Sequence, residues 1–341
     1  MKALVWEAPR SMAMRELPVP ALQPGEVLIK VAYAGICGSE LSGYLGHNAL
    51  RVPPLVMGHE FSGEIVALDS EAVRNRPDLA EGQRVTVYPF SFCQTCEYCL
   101  QGLNQLCVTR RLLGAHRPGA FAQYIAVPAG QVFVLPERMP LRIGALAEPV
   151  ACGVRIGELA GSVQDQPALV IGAGPMGLLT LQVLRWRGAK QVWVADLDTQ
   201  RLEMVAELGG TPLDARAVDV VKAVRDATDG RGAWVSIDAV GTAVTRAQCV
   251  AAVRTMGTMI LSGLHEESSA IPAAEIIRRE ITVRGSFSYS FANFQKAIDL
   301  LALGAIRLDP WVVEAPLADG GLWFERLLGE SKEVAKVLLV P

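Results

Sequence analysis

The 341-residue sequence is short of several things, and each shortage removes a class of function. It has no excess of charge of one sign: 32 basic residues face 35 acidic ones, for a net charge of −3. No basic block stands out, which argues against a nucleic-acid partner, since phosphate binding needs clustered cations. Arg110-Arg111 and Arg278-Arg279 read as solvated surface pairs. Histidine is scarce, at four residues. The start reads against a secretory signal, because Met1 to Glu7 meets a charge and then Pro9 too early for one. Nor is there an unbroken apolar run of membrane-spanning length. The one long uncharged stretch, Gln166 to Leu184, holds Gly172, Gly174, Pro175 and Gly177 in its middle, so it reads as strand, turn and helix instead. A cytoplasmic protein with no membrane partner is the expectation.

Cysteine is present, and unevenly. Four of the seven fall within 15 residues, as Cys93, Cys96, Cys99 and Cys107 in the spacing C-x2-C-x2-C-x7-C. In a reducing compartment such a cluster reads as a metal site and not as a disulfide frame. Four thiolates in one loop close a tetrahedron around zinc and leave no position for water, which is the pattern of a structural site. Iron–sulfur clusters use similar spacing; zinc is the expected occupant.

A second group of metal-binding residue types is spread more widely. Cys37 opens Cys37-Gly38-Ser39-Glu40, and 22 residues on, His59 sits in Gly58-His59-Glu60. Thiolate and imidazole are the ligands zinc favours, a carboxylate is an acceptable third, and the absence of a close Cys pair leaves room for an open coordination position. The alternative is a buried Cys and a buried His that never meet.

Residues 2–35 read as short strands, and 61–68 and 83–88 continue in that style, with 69–82 a polar loop between them. From Leu141 to Ala160 the pattern turns helical, with Glu148-Pro149 inside it. Then strand–helix alternation takes over. Ala168–Ile171 is a buried-type strand, followed by Gly172-Ala173-Gly174-Pro175-Met176-Gly177, a helix to Trp186, and a strand ending on Asp196. Further helices at 199–208, 217–227, 243–253 and 273–280 alternate with strands at 233–237, 257–262 and 281–285. GxGxxG by itself is weak, but here it follows a strand, opens a helix, and has an acid 19 residues past its last glycine. The pyrophosphate of a dinucleotide would sit at the helix start. Asp196 would bind the adenosine ribose and repel a 2′-phosphate, so NAD is expected over NADP, with Arg201 softening that preference. A helix at 291–303, another near 319–329 and a strand at 334–340 close the chain.

In one order the sequence thus carries Cys37-Gly38-Ser39, Gly58-His59-Glu60-Phe61-Ser62-Gly63, the four-cysteine lobe, Glu148-Pro149 and the late GxGxxG. Together these resemble the zinc-dependent medium-chain alcohol dehydrogenase family over essentially the whole chain, and within it the polyol branch of sorbitol and galactitol dehydrogenases. The resemblance implies an α/β protein: a GroES-like β-rich catalytic domain at 1–150, a Rossmann doubly wound NAD-binding domain at 151–286, and a C-terminal return at 287–341 completing the first domain. It implies that Cys37 and His59 ligate a catalytic zinc, with Glu60 or Glu148 supplying carboxylate ligation. Ser39 matches the hydroxyl that takes the substrate proton, and Glu40 stands where the family usually has an Asp that orients the His. The relay His of many relatives is Ser42 here, with His47 a candidate substitute. Ser288 replaces the substrate-facing Arg of sorbitol dehydrogenases.

The activity so implied is reversible oxidation of a secondary hydroxyl of a polyol, sugar alcohol or diol to a ketone, with hydride transfer to NAD, by a homodimer or homotetramer. L-Threonine or 2,3-butanediol oxidation is the alternative within the family. A zinc-free reductase would lack the Cys/His/Glu set, and a non-catalytic NAD-binding relative should have lost a ligand or Ser39. Cys249, Cys152, His116 and His265 read as packing or surface residues. Tyr44, Phe90, Phe287 and Tyr289 divide between core and substrate pocket.

Overall fold

The computed structural model describes residues 1–329 and 333–341. The chain forms two compact units, Met1–Glu148 with Tyr289–Pro341, and Pro149–Ser288. The class is α/β, a β-rich unit and a parallel-sheet unit, as expected.

The first unit is built on a seven-stranded sheet. Its long strand Glu26–Gly35 pairs antiparallel with Glu60–Leu68, Tyr124–Pro128 and the C-terminal strand Lys336–Val340. Val27, Ile29 and Val31 alternate into the core with Phe61, Phe121, Phe324, Val337 and Leu339. In the C-terminal strand Leu338 lies opposite Gly35 and Leu339 opposite Ala34. That register carries Lys336 to the end of the long strand, beside Ile36, whose carbonyl accepts from Lys336 Nζ at 3.1 Å.

Two expectations in this unit need correction. The polar stretch 69–82 contains a short helix, Ser70–Asn75, because the Asp69 carboxylate accepts from the amide of Glu71 at 2.8 Å and caps it. The helical stretch from Leu141 is two helices, Leu141–Gly144 and Ala147–Leu159. Pro149 explains the break: it lacks an amide hydrogen and fits the first turn of a helix but not its interior.

The second unit is a six-stranded, all-parallel sheet. Its spatial order is Thr211–Asp214, Gln191–Asp196, Pro167–Ile171, Ala233–Asp238, Val253–Leu261 and Thr282–Gly285. Numbered within the unit, that is 3-2-1-4-5-6, the doubly wound order whose switch point lies between its first and fourth strands. Leu169, Trp193, Val250, Val253 and Met259 share one buried cluster. The helix expected at 217–227 is shorter, Val220–Asp226, and the strand expected from 257 begins at Val253.

Candidate active site

Cys37 follows the long strand and stands just before the helix Gly38–Tyr44. His59 and Glu60 lie at the start of the neighbouring strand Glu60–Leu68. Sheet pairing therefore brings together residues the sequence separates: the Cys37 sulfur, a ring nitrogen of His59 and a carboxylate oxygen of Glu60 all lie within 4.8 Å of one another. His59 and Glu60 are buried.

Glu40 ties the set together. One of its oxygens accepts from the amide of Cys37 at 3.0 Å; the other accepts from the amide of Gly58 and pairs with His59 Nδ1, both at 2.8 Å. The side chain is fully buried. Burial pushes this carboxyl up, but His59, with Arg51 and the Cys37 amide, holds it below its ordinary value. In the neutral ring an anionic Glu40 selects the tautomer with the hydrogen on Nδ1, whose Nε2 lone pair a metal can use. Burial likewise pulls the His59 imidazole down, yet the charges of Glu40 and Cys37 lift it well above its ordinary value in the metal-free protein.

Both candidate carboxylates are near. Glu60 accepts from Lys336 Nζ at 2.9 and 2.7 Å, with both side chains buried. Burial lowers the Lys336 ammonium, but Glu60, Cys37 and Glu148 hold it above its ordinary value. The Glu60 side chain lies across Gly35, where a Cβ would come within 2.4 Å of its carboxylate. Glu148, in the first turn of its helix, places an oxygen 4.0 Å from His59 Nε2 and accepts from the Tyr289 hydroxyl at 2.6 Å. Burial, reinforced by the charge of Glu60 and opposed by His59, lifts Glu148 to about 7. Sequence reasoning misses Lys336; the only signal is a lone cation opening the apolar run Val337-Leu338-Leu339-Val340. Tyr289 takes the core place of its two expected ones, with its ring buried and its hydroxyl donating to Glu148.

Ser39 Oγ lies 3.4 Å from Cys37 Sγ and accepts from Arg51 at 3.2 Å. Among the described residues neither Ser42 nor His47 is its partner; His47 is exposed beyond the helix, its amide donating to the Ser42 carbonyl. His116 takes a local structural bond, its Nδ1 accepting from the amide of Leu112 at 3.0 Å. Cys249 is fully buried.

The cysteine lobe is compact. The sulfurs of Cys93, Cys96, Cys99 and Cys107 lie within 4.8 Å of one another, and none forms a disulfide. Cys93 Sγ is 3.6 Å from that of Cys107 and 4.0 Å from that of Cys99. A tetrahedron with zinc–sulfur bonds of about 2.3 Å has edges of roughly 3.8 Å, so these spacings fit the ion. Amides of Cys93 and Cys96 donate to sulfurs of the set at 3.3 Å. Amide and hydroxyl donors from Thr95, with the Cys96 amide, hold the Cys93 thiol down at about 5, and burial pushes Cys99 up to about 12.

In the second unit the glycine loop has the shape a dinucleotide needs. Gly172 has φ +104°, and a Cβ on Gly177 would lie 1.8 Å from the Gly172 carbonyl oxygen, so both are required by backbone and packing. At Gly174 a Cβ would meet nothing within 4 Å. Packing does not explain that glycine; open approach for a ligand does. Pro175 and Met176 open the helix Pro175–Trp186. Asp196 accepts from the loop amide of Ala173 at 2.6 Å and from that of Asp198 at 2.9 Å. Arg201 follows in the first turn of Thr199–Glu207, where its amide donates to the Asp198 carboxylate at 3.1 Å.

Family profiles agree with this geometry. The alcohol dehydrogenase GroES-like domain matches residues 23–137, and the zinc-binding dehydrogenase profile matches residues 175–302. D-arabitol-phosphate dehydrogenase of Enterococcus avium is 33% identical over 99% of this chain and 97% of its own. L-galactonate-5-dehydrogenase of Escherichia coli K12 is 31% identical over 98% of each. A solved structure described as a zinc-binding dehydrogenase of Sinorhizobium meliloti 1021, bound to NADP, superposes with a TM-score of 0.92 at 32% identity, covering 100% of this chain and 99% of that one. No helix among the described residues is long and apolar enough to cross a membrane. A GroES-like domain, a doubly wound parallel sheet and these relatives along the full length make one statement: the chain belongs to the zinc-dependent medium-chain dehydrogenase family of oxidoreductases, on its polyol dehydrogenase side.

Proposed function

We propose that this protein oxidises a secondary hydroxyl of a polyol, sugar alcohol or diol to a ketone, reversibly, with NAD as the hydride acceptor. The observation that carries the proposal is the convergence of Cys37, His59 and Glu60 within 4.8 Å, with Glu40 orienting the imidazole. Cys37 and His59 Nε2 would hold a catalytic zinc, with Glu60 or Glu148 as the carboxylate; Cys93, Cys96, Cys99 and Cys107 would hold a structural one. When bound, zinc supplies Lewis-acid polarisation of the alcohol oxygen and the nicotinamide accepts hydride. The side chains do the rest. Glu40 holds a hydrogen on His59 Nδ1 and so aims Nε2 at the metal position, Lys336 fixes the Glu60 carboxylate in place, and Tyr289 orients Glu148 beside the metal set. Ser39 Oγ takes the proton of the substrate hydroxyl.

Met1–Glu148 with Tyr289–Pro341 would act as the catalytic domain and Pro149–Ser288 as the nucleotide domain. The glycine loop would hold the pyrophosphate, with Asp196 available to the ribose hydroxyls. That acid supports NAD; Arg201 and the NADP-bound relative keep NADP in the test. The two relatives described above are named for a polyol phosphate and a sugar acid, while threonine and 2,3-butanediol dehydrogenases resemble the chain at similar identity, so all of these classes enter the test.

The test is reduction of NAD and of NADP over a panel of polyols, sugar phosphates, aldonic acids, 2,3-butanediol and threonine, with metal analysis of the same protein. Two zinc ions per chain and polyol oxidation abolished by chelation are expected. Oxidation that survives complete zinc removal would overturn the assignment.

A further inference from the structure

Arg51 is a buried cation that contacts no carboxylate among the described residues. It is 4% exposed. Nε donates to the Gly114 carbonyl at 3.0 Å, one terminal nitrogen to the Ser39 carbonyl at 3.1 Å, and the other to Ser39 Oγ at 3.2 Å. The helix that carries Ser39 leaves a notch for it: a Cβ on Gly43 would lie 2.6 Å from Arg51 Cδ. Its hydrogen-bond partners are all neutral, so the nearby charge of Glu40 is what offsets the cost of burying the guanidinium, and two of its three bonds here go to one residue.

We propose that Arg51 is a positioning residue for Ser39, clamping its carbonyl and its hydroxyl oxygen at once and so fixing where the hydroxyl hydrogen points. The inference rests on the proton-accepting role proposed for Ser39. A hydroxyl has one hydrogen and two lone pairs. Arg51 fills one lone pair with a donor, and a guanidinium offers no acceptor in return. Ser39 therefore cannot pass a proton to Arg51, and its own hydrogen points elsewhere; in this structure Cys37 Sγ lies 3.4 Å away. The second lone pair is left for the substrate proton. When that proton arrives, the original hydrogen leaves Oγ on the side away from the arginine for solvent water, which reaches the exposed Ser39, so the oxygen ends the step with one hydrogen, as it began, and the water carries the proton away. Arg51 acts through Ser39 and touches no reacting atom.

A double-mutant cycle tests this on the zinc-loaded full chain, using the best alcohol of the panel. Ser39→Ala is expected to lower kcat about 100-fold or more. Arg51→Met in the wild-type background is expected to lower kcat at least tenfold, about the cost of a small misplacement, with KM within about threefold. In the Ser39→Ala background the same change should cost less than about twofold, because the group it positions is gone. Arg51→Lys, with one ammonium in place of the fork, should recover part of the loss. Zinc content and unfolding midpoint are read on every variant. An equal kcat loss in both backgrounds, or wild-type kcat in Arg51→Met, overturns the positioning role while leaving the dehydrogenase reading intact. Should Arg51→Met fail to fold, Arg51→Lys is measured in both backgrounds by the same criterion. Full activity of Ser39→Ala would instead remove the role of Ser39, and the inference with it.

Discussion

Glu60 owes its position to a residue 276 places further along the chain. The Lys336 ammonium sits 2.7 Å from one of its oxygens, and the lysine and glutamate side chains are 4% and 1% exposed. Removing one partner of a buried pair leaves the other charge uncompensated, at a cost of about 3–5 kcal/mol. Lys336→Met is therefore expected to destabilise the zinc-free protein by about that amount. It should cost the zinc-loaded protein less, because the metal supplies a second positive charge to the same carboxylates. Denaturant unfolding with and without chelator checks it; equal losses in the two states would separate Lys336 from the metal set. At this scale the sequence is legible where a residue type announces its chemistry, as with Cys37, His59 and Glu60. Glu40 is legible from its place beside Ser39, and its longer side chain still reaches His59 at 2.8 Å. Lys336 and Arg51 are not. Each makes its bonds across 12 to 300 residues, and a lone cation in a sequence carries no mark of the partner it will meet.

At the scale of elements, the cysteine lobe is the easiest part to read, because all four donors lie in one 15-residue loop and no tertiary pairing is needed to gather them. The same compactness makes it separable. Cys96→Ser is expected to lower the zinc content from two ions per chain to one, lower the unfolding midpoint, and open residues 93–107 to proteolysis, since a structural zinc contributes folding energy directly. Metal analysis and limited digestion report it, and an undiminished zinc content would exclude the lobe as a zinc site. The strand–helix alternation of 167–285 is legible from its apolar runs. The short strands Thr211–Asp214 and Val312–Pro316 are not. Both contain proline and lie at sheet edges, where a missing amide hydrogen is tolerated and the apolar alternation is weak.

At the scale of the whole molecule, the six-stranded sheet ends on Thr282–Gly285, every residue of which is exposed. An open, unpaired edge is a template for another strand, and Leu264 and Ile277 are exposed apolar residues of the same unit. A two-fold pairing of this edge would join two sheets into one and fits the homo-oligomer expected from the family resemblance. Val283→Asp, which sets like charges against each other across such an axis, is expected to shift the protein to monomers in analytical ultracentrifugation. A monomeric wild type, or an oligomer indifferent to the substitution, would place the contact elsewhere or nowhere.

The first unit leaves off at Glu148 and resumes at Tyr289, and those two side chains are joined by the 2.6 Å bond from phenol to carboxylate. The chain thus leaves the first unit and returns to it at two residues whose side chains are held by a phenol–carboxylate stitch. One end of that stitch is the carboxylate that stands 4.0 Å from His59 Nε2. Tyr289→Phe unpicks it without removing a ring, so the join in this chain and the wiring of its metal set can be disturbed together by deleting one oxygen atom.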